Sequence, residues 1–257
     1  MLDSGYIFVQ PNDIYPGLRP EPHQKLALIT FDDGYYNNTH LIPVLEEFEV
    51  PALFFVPTAY LYNGKKFWSD ALYQARRQQQ RSDEEILREV ISLKSLRLEQ
   101  IENKLCQEFG AAILDQSDDF SRFMSEDEFK SFAAHPLVHI GNHTHTHEIL
   151  THLSASEVRA ELQASQEVLE RLLGHKPLWI SYPNGSFNNE TISIAASMGL
   201  DTGISTIMQK NYFPLNNIVA NQLLLHRFNP VVENDRLSLD KFKSDFQFKT
   251  KLKQWLA

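Results

Sequence analysis

The segment from Lys25 to Pro57 constrains the fold more than any other part of the chain. KLALITF (25–31) is short, apolar and partly β-branched, and Asp-Asp-Gly ends it, so it reads as a buried strand. THLIPVLEEFEV (39–50) then places Leu41, Val44, Leu45 and Phe48 at helical spacing, with Pro43 near a helix start. PALFFVP (51–57) is a second buried strand, bounded by prolines. Strand, helix and strand joined by short links are the signature of a parallel βα architecture.

The alternation breaks between about Lys65 and Lys130, where the pattern is long, charged and helical. Ser82 and Glu85 fit a capping box that opens part of this stretch. We read 65–130 as a helical insertion packed on a single domain that spans residues 1–257. The alternation resumes with LVHI (137–140) as a strand, and SASEVRAELQASQEVLERLLG (154–174) as a helix opened by Ser154 and Glu157 and stopped by Gly174. LWISYP (178–183), DTGIST (201–206) and NQLLLHRF (221–228) are strand candidates, with a helix near NETISIAASMG (189–199) between the first two.

A chain of 257 residues can bury one large α/β core. Its net charge of -9 argues against a nucleic-acid or anionic-membrane partner, since phosphates want a basic face. The single cysteine, Cys106, rules out an internal disulfide and a multi-cysteine zinc site. No apolar run approaches the ~20 residues that span a bilayer. The first residues also lack the basic-then-apolar pattern of a secretory signal, so the expected location is cytoplasmic.

Two clusters carry chemistry. Asp32 and Asp33 stand side by side at a strand end, where like charges repel unless a cation holds one of them. They belong either to an ordinary turn facing water or to a metal site. Six of the ten histidines fall between His135 and His152, and His143 and His147 are four residues apart. Along a strand that spacing would separate them by ~13 Å. A helical turn would put both on one face, where two imidazoles can share an ion. Thr144 occupies the position where the zincin motif has its glutamate base, so a third ligand and a base must come from elsewhere. In a βα fold the carboxyl ends of the strands gather on one face, where Asp32 and Asp33 could supply both. His139 and His145 read as structural; His23, His40, His135, His152 and His175 carry no special signal.

TFDDG (30–34) and HTHTH (143–147), read as His-Thr-x-x-His, resemble the first two motifs of the polysaccharide deacetylases, the chitooligosaccharide deacetylase homology domain of the carbohydrate esterases. The flanks, LIPVLEEFEVPALFFV and IGNHTHTHEILTHLSASEV, resemble the family too, and the likeness runs from about Leu26 to Pro230 around the insertion. The resemblance implies a distorted (β/α) barrel and hydrolysis of N-acetyl groups from the amino sugars of a polysaccharide or glycoconjugate. It implies Asp32 as general base and Asp33, His143 and His147 as ligands of one divalent metal, normally zinc. Three protein ligands leave the open position that a catalytic zinc needs.

The family's third motif is Arg-Pro-Pro-Tyr-Gly, and this chain has SYPNG (181–185), closer to a branch with Tyr-Pro-x-Gly. The resemblance then implies that Tyr182 and Pro183 shape the groove and that the backbone N–H of Asn184 serves the oxyanion, a role that needs no side chain. Ser181 stands where the base-orienting arginine would be, and Arg227 is the candidate to replace it by reaching Asp32. LLLH (223–226) fits the final Leu-x-x-His, which makes His226 the candidate general acid. Three rivals remain: a deacylase or deformylase of a lipid-linked or small amino sugar, a non-catalytic carbohydrate-binding relative, and a histidine-rich metal store. Phe67, Trp68, Tyr35 and Tyr36 are aromatics that could stack on sugar rings, although such residues more often belong to a core.

Overall fold

In the computed structural model, residues 5–116 and 122–229 are described, together with the backbone of 232–233 and 236–237. The end of the resemblance at Pro230, the chain termini and residues 117–121 of the insertion lie outside the described residues.

A curled sheet of seven strands organises the chain. In chain order, the first elements are strands β1 (Tyr6–Phe8), β2 (Lys25–Ala27) and β3 (Ile29–Phe31), helix α1 (Ile42–Phe48) and strand β4 (Ala52–Val56). Helices α2 (Trp68–Gln78), α3 (Asp83–Leu93), α4 (Leu98–Phe109) and α5 (Glu126–Ala133) follow, then β5 (Val138–Asn142), α6 (Ala155–Leu173) and β6 (Trp179–Ser181). Then come α7 (Asn189–Ser197), β7 (Thr202–Ile204), β8 (Ile218–Val219) and β9 (Gln222–Leu225), and β10 (Val232–Glu233) pairs antiparallel with β11 (Arg236–Leu237) in a separate two-stranded sheet. The strand order is β3-β4-β5-β6-β7-β9-β8; every neighbouring pair is parallel except β8 with β9. A curled, mostly parallel sheet with helices packed against it agrees with the (β/α) barrel that the resemblance implies.

One expected strand is two. KLALITF breaks at Leu28: β2 pairs with β1 in a separate two-stranded sheet, and β3 begins the main sheet against β4. β3 ends at Phe31, and the chain leaves the sheet at Asp32.

Burial explains why β4 is apolar throughout. All five of its residues are buried, because helices cover one face and the curled sheet encloses the other. Leu53 and Phe55 point to the enclosed side with Trp179, Ile204, Leu223 and Leu225. Ala52, Phe54 and Val56 point to the helical side, with Leu45, Phe129, Phe132 and Leu169. Within the helical stretch 65–130, Ala71, Leu72, Leu93, Ile101, Leu105 and Leu114 pack together in a cluster of their own. Both capping boxes form: Ser82 with Glu85 at α3, and Ser154 with Glu157 at α6. Among the described residues, no helix is long and apolar enough to cross a membrane.

Candidate active site

The strands run in parallel, so β3, β5, β6 and β9 release their next residues on one side of the sheet. Asp32 and Asp33 follow β3, His143 follows β5, Ser181 ends β6, and His226 and Arg227 follow β9.

Asp33 sits at the centre. It takes a left-handed backbone (φ 77°), and so does Gly34 (φ 67°), which turns the chain sharply off the strand. Its Oδ1 lies 3.3 Å from His143 Nε2 and 3.4 Å from His147 Nε2. The three donor atoms all fall within 4.8 Å of one another. A tetrahedral ion with bonds of about 2.0–2.1 Å has edges of about 3.3 Å, so one carboxylate and two imidazoles at these separations fit a zinc-like ion. His143 Nδ1 is 2.6 Å from the carbonyl oxygen of Ser181, to which it donates, so Nε2 is the nitrogen free to ligate.

The histidines do not meet on a helical turn. Residues 143–147 are irregular, with Thr144 (φ 67°) and His147 (φ 62°) both left-handed. Local polar groups hold this path in place of helical hydrogen bonds. Asn142 Oδ1 accepts from the Thr144 N–H at 2.7 Å, and Thr144 Oγ1 accepts from the His147 N–H at 3.0 Å. The N–H groups of Thr58 and Ala59 donate to the carbonyls of Thr144 and His145. The Glu161 carboxylate, from the middle of α6, accepts from the N–H groups of His145 and Thr146 and from the Thr146 hydroxyl.

Asp32 is held from two sides. The Arg227 guanidinium meets it with two hydrogen bonds, Nη1 to Oδ1 at 2.8 Å and Nη2 to Oδ2, and the Ser181 hydroxyl donates to Oδ2 at 3.1 Å. Ser181 therefore touches Asp32 through its side chain and His143 through its backbone.

Charge follows geometry. Burial pushes the Asp32 and Asp33 carboxyls up, and their partners more than reverse it, leaving both below the usual carboxylate range. For Asp32 the largest opposing influence is the Arg227 hydrogen bond; for Asp33 it is the pair of imidazoles. Burial lowers His147, whereas at His143 the two carboxylates outweigh burial and raise it.

The remaining predicted residues divide. The His226 ring is half-buried, its Nδ1 2.8 Å from the Ser205 hydroxyl, and Asn211 pins its backbone through both N–H and C=O. Asn184 is exposed and left-handed (φ 57°), which lifts the backbone of SYPNG out of the sheet. Tyr182 does not shape a groove with its side chain. It is 1% exposed, packs among Leu150, Leu162, Ile180 and Ile192, and donates to Gln222 Oε1 at 2.7 Å. An aromatic ring at the end of a central strand has more apolar surface to bury towards the helices than above the site. Pro183 is buried beside it. Phe67 and Tyr35 belong to a buried aromatic cluster with Tyr60 and Phe123, and the Phe67 ring centroid lies 4.6 Å from that of His147. Thr58 Oγ1 lies 2.7 Å from His145 Nδ1, so that ring is engaged outside the group of Asp33, His143 and His147.

Ser205, Asn211 and Glu161 carry no motif signal. Only the fold shows which histidine or loop each one serves.

A parallel sheet whose carboxyl ends gather an aspartate and two histidines, beside a second clamped aspartate, defines an α/β protein with a candidate metal-centred site. The chain belongs to the polysaccharide deacetylase family, whose sequence pattern matches residues 19–203. It is 22% identical over 207 residues to YxkH of Bacillus subtilis (strain 168), covering 79% of this chain and 53% of that protein. It spans between 13% and 53% of the length of the curated relatives it matches. Among solved structures, the Streptococcus pyogenes deacetylase PplD superposes with a TM-score of 0.59 at 18% identity, over 95% of this chain and 80% of that one. IcaB from Ammonifex degensii superposes with a TM-score of 0.56 at 18% identity, over 91% and 80%. At these identities the superpositions speak for the fold.

Proposed function

We propose that this protein is a metal-dependent hydrolase that removes N-acetyl groups from the amino sugars of a polysaccharide or glycoconjugate. The observation that carries this reading is the adjacency of two differently employed aspartates. Asp33 faces two imidazole Nε2 atoms at ligand spacing, while Asp32, next in the chain, faces Arg227 and Ser181 instead. A binding-only protein has no use for the second, separately oriented carboxylate.

In this reading Asp33, His143 and His147 hold one divalent ion, with zinc favoured by the nitrogen and oxygen donor set. Such an ion supplies Lewis-acid polarisation of the acetamide carbonyl and activation of water. Asp32 takes the proton from the attacking water. Arg227 keeps that carboxylate ionised and fixes its plane, so the accepting oxygen is already aimed when substrate arrives. The N–H of Asn184 offers a donor to the oxygen on which charge develops. His226, oriented through Nδ1 by Ser205, delivers a proton to the leaving amine.

The test pairs metal content with acetate release from N-acetylglucosamine oligomers, for wild type and Asp32→Asn. Support is about one ion per chain and acetate release in the wild type, with the variant keeping the ion and losing turnover. A metal-loaded wild type that releases no acetate points to another acyl group or sugar, and several ions per chain would point to a metal store.

A further inference from the structure

We infer that Glu161 is a positioning residue for the metal centre, acting through the backbone of the loop that carries both histidine ligands. The inference rests on the metal reading above.

The loop from His143 to His147 must hold two imidazoles on one point without regular structure. It includes a β-branched residue, Thr144, in left-handed conformation (φ 67°), a state that persists only where the surroundings over-determine it. Three elements do so. Asn142 and the Thr144 hydroxyl fix the two left-handed residues from within, and the turn after β4 receives the carbonyls of Thr144 and His145.

The remaining donors point the other way, toward α6. There a single carboxylate oxygen, Glu161 Oε1, accepts from the His145 N–H at 2.9 Å, from the Thr146 N–H and from the Thr146 hydroxyl at 2.9 Å. Anionic acceptors make the stronger hydrogen bonds, and two successive N–H groups aimed at one oxygen fix the two peptide planes that meet at the His145 Cα. His145 is midway in sequence between the two ligands. Glu161 is separated from these residues by 15 and 16 positions, so it couples the long helix to the loop.

The carboxylate touches no ligand atom itself. Its effect is to present His143 and His147 to Asp33 in a ready geometry, so that binding an ion need not first order the loop.

The experiment measures zinc(II) affinity by chelator competition on the full chain, for wild type and for Glu161→Ala, Glu161→Asp and Glu161→Gln, with the melting temperature of each metal-free protein alongside. Removing the acceptor in Glu161→Ala, or withdrawing it by one methylene in Glu161→Asp, should weaken zinc binding by about 10-fold or more. Glu161→Gln keeps an acceptor oxygen at the same reach and should recover most of the affinity. Loss of affinity in the Ala and Asp variants with recovery in Gln supports the inference. Should Glu161→Ala not fold, Glu161→Asp decides alone. Wild-type affinity in a folded Ala or Asp variant overturns the inference and leaves the metal reading intact. A wild type that takes up no zinc overturns the metal reading, and this inference with it.

Discussion

Arg227 grips Asp32 with both terminal nitrogens, although the two are 195 residues apart and follow strands near opposite edges of the sheet. The contact has two consequences. It requires the sheet to curl until β3 and β9 face each other, and it puts an arginine on the proposed base in a chain that has Ser181 in the third motif. A forked guanidinium fixes the carboxylate plane; a lysine would supply charge without the plane. We therefore expect Arg227→Lys to lower acetate release by about 10- to 100-fold while metal content stays at the wild-type level. Unchanged turnover in Arg227→Lys would remove the positioning role.

Asp33 is the one carboxylate in the candidate ligand set, so its loss should affect metal binding directly. A ligand at 100 times its dissociation constant stabilises the folded state by about 2.7 kcal/mol. For a domain of this size that corresponds to a melting temperature raised by roughly 5–10 °C. Wild type should show this rise with zinc and lose it with a chelator, and Asp33→Ala should show neither. Equal zinc-induced shifts in both proteins would place the ion elsewhere.

How far the sequence alone reached depends on whether a feature was local. The strand and helix at 51–57 and 154–174 were legible because burial on both faces of β4 leaves an unbroken apolar run, and because Ser154, Glu157 and Gly174 punctuate α6. Asp33, His143 and His147 were legible as a pattern, but the means by which the histidines meet was not. A spacing of four suggests a helix, and the local bond to Asn142 together with the tertiary ones to Thr58 and Glu161 makes an irregular loop the better solution. Tyr182 went astray for the opposite reason: its neighbours in sequence mark a groove, while its ring answers to Gln222 and the apolar residues under α6 and α7. The break at Leu28 was invisible because both halves of KLALITF are equally β-prone, and only pairing partners divide them.

The glycine that closes the first motif is needed for space as well as for conformation. At Gly34 a Cβ would lie 2.8 Å from Val56 Cγ1, and Val56 is fully buried at the end of β4. Overpacking of this kind costs about 1–3 kcal/mol, in addition to the left-handed backbone that Gly34 adopts (φ 67°). Gly34→Ala should lower the melting temperature by roughly 4–10 °C and weaken zinc uptake, since Asp33 is the preceding residue. Gly64 is the matched control: it is also left-handed (φ 64°), yet nothing lies within 4 Å of its Cβ position. Gly64→Ala should therefore cost clearly less. Equal losses in the two variants would show that the dihedral alone, and not Val56, sets the requirement.

Acid should loosen the contact between Arg122 and the segment that follows the first motif. Arg122 lies 3.5 Å over the Tyr36 ring, accepts the Tyr36 N–H on its carbonyl, and makes a two-pronged ion pair with Glu128 at 2.8 and 2.9 Å. Glu128 also closes the capping box of α5 with Ser125. The Arg122 hydrogen bonds, followed by those from Ser125, bring the Glu128 carboxyl down to about 2 from an ordinary 4.5. A folded-state value below the unfolded one means that the stabilisation is complete above pH 4.5 and is lost as pH falls toward 2. The pair is about one-third exposed on the Glu128 side, so solvent screens much of it. Glu128→Gln should accordingly lower the melting temperature at pH 7 by a few degrees, and the gap to wild type should narrow steadily below pH 4.5. A gap that stays constant down to pH 3 would assign the loss to packing or to the cap geometry, and not to the charge on Glu128.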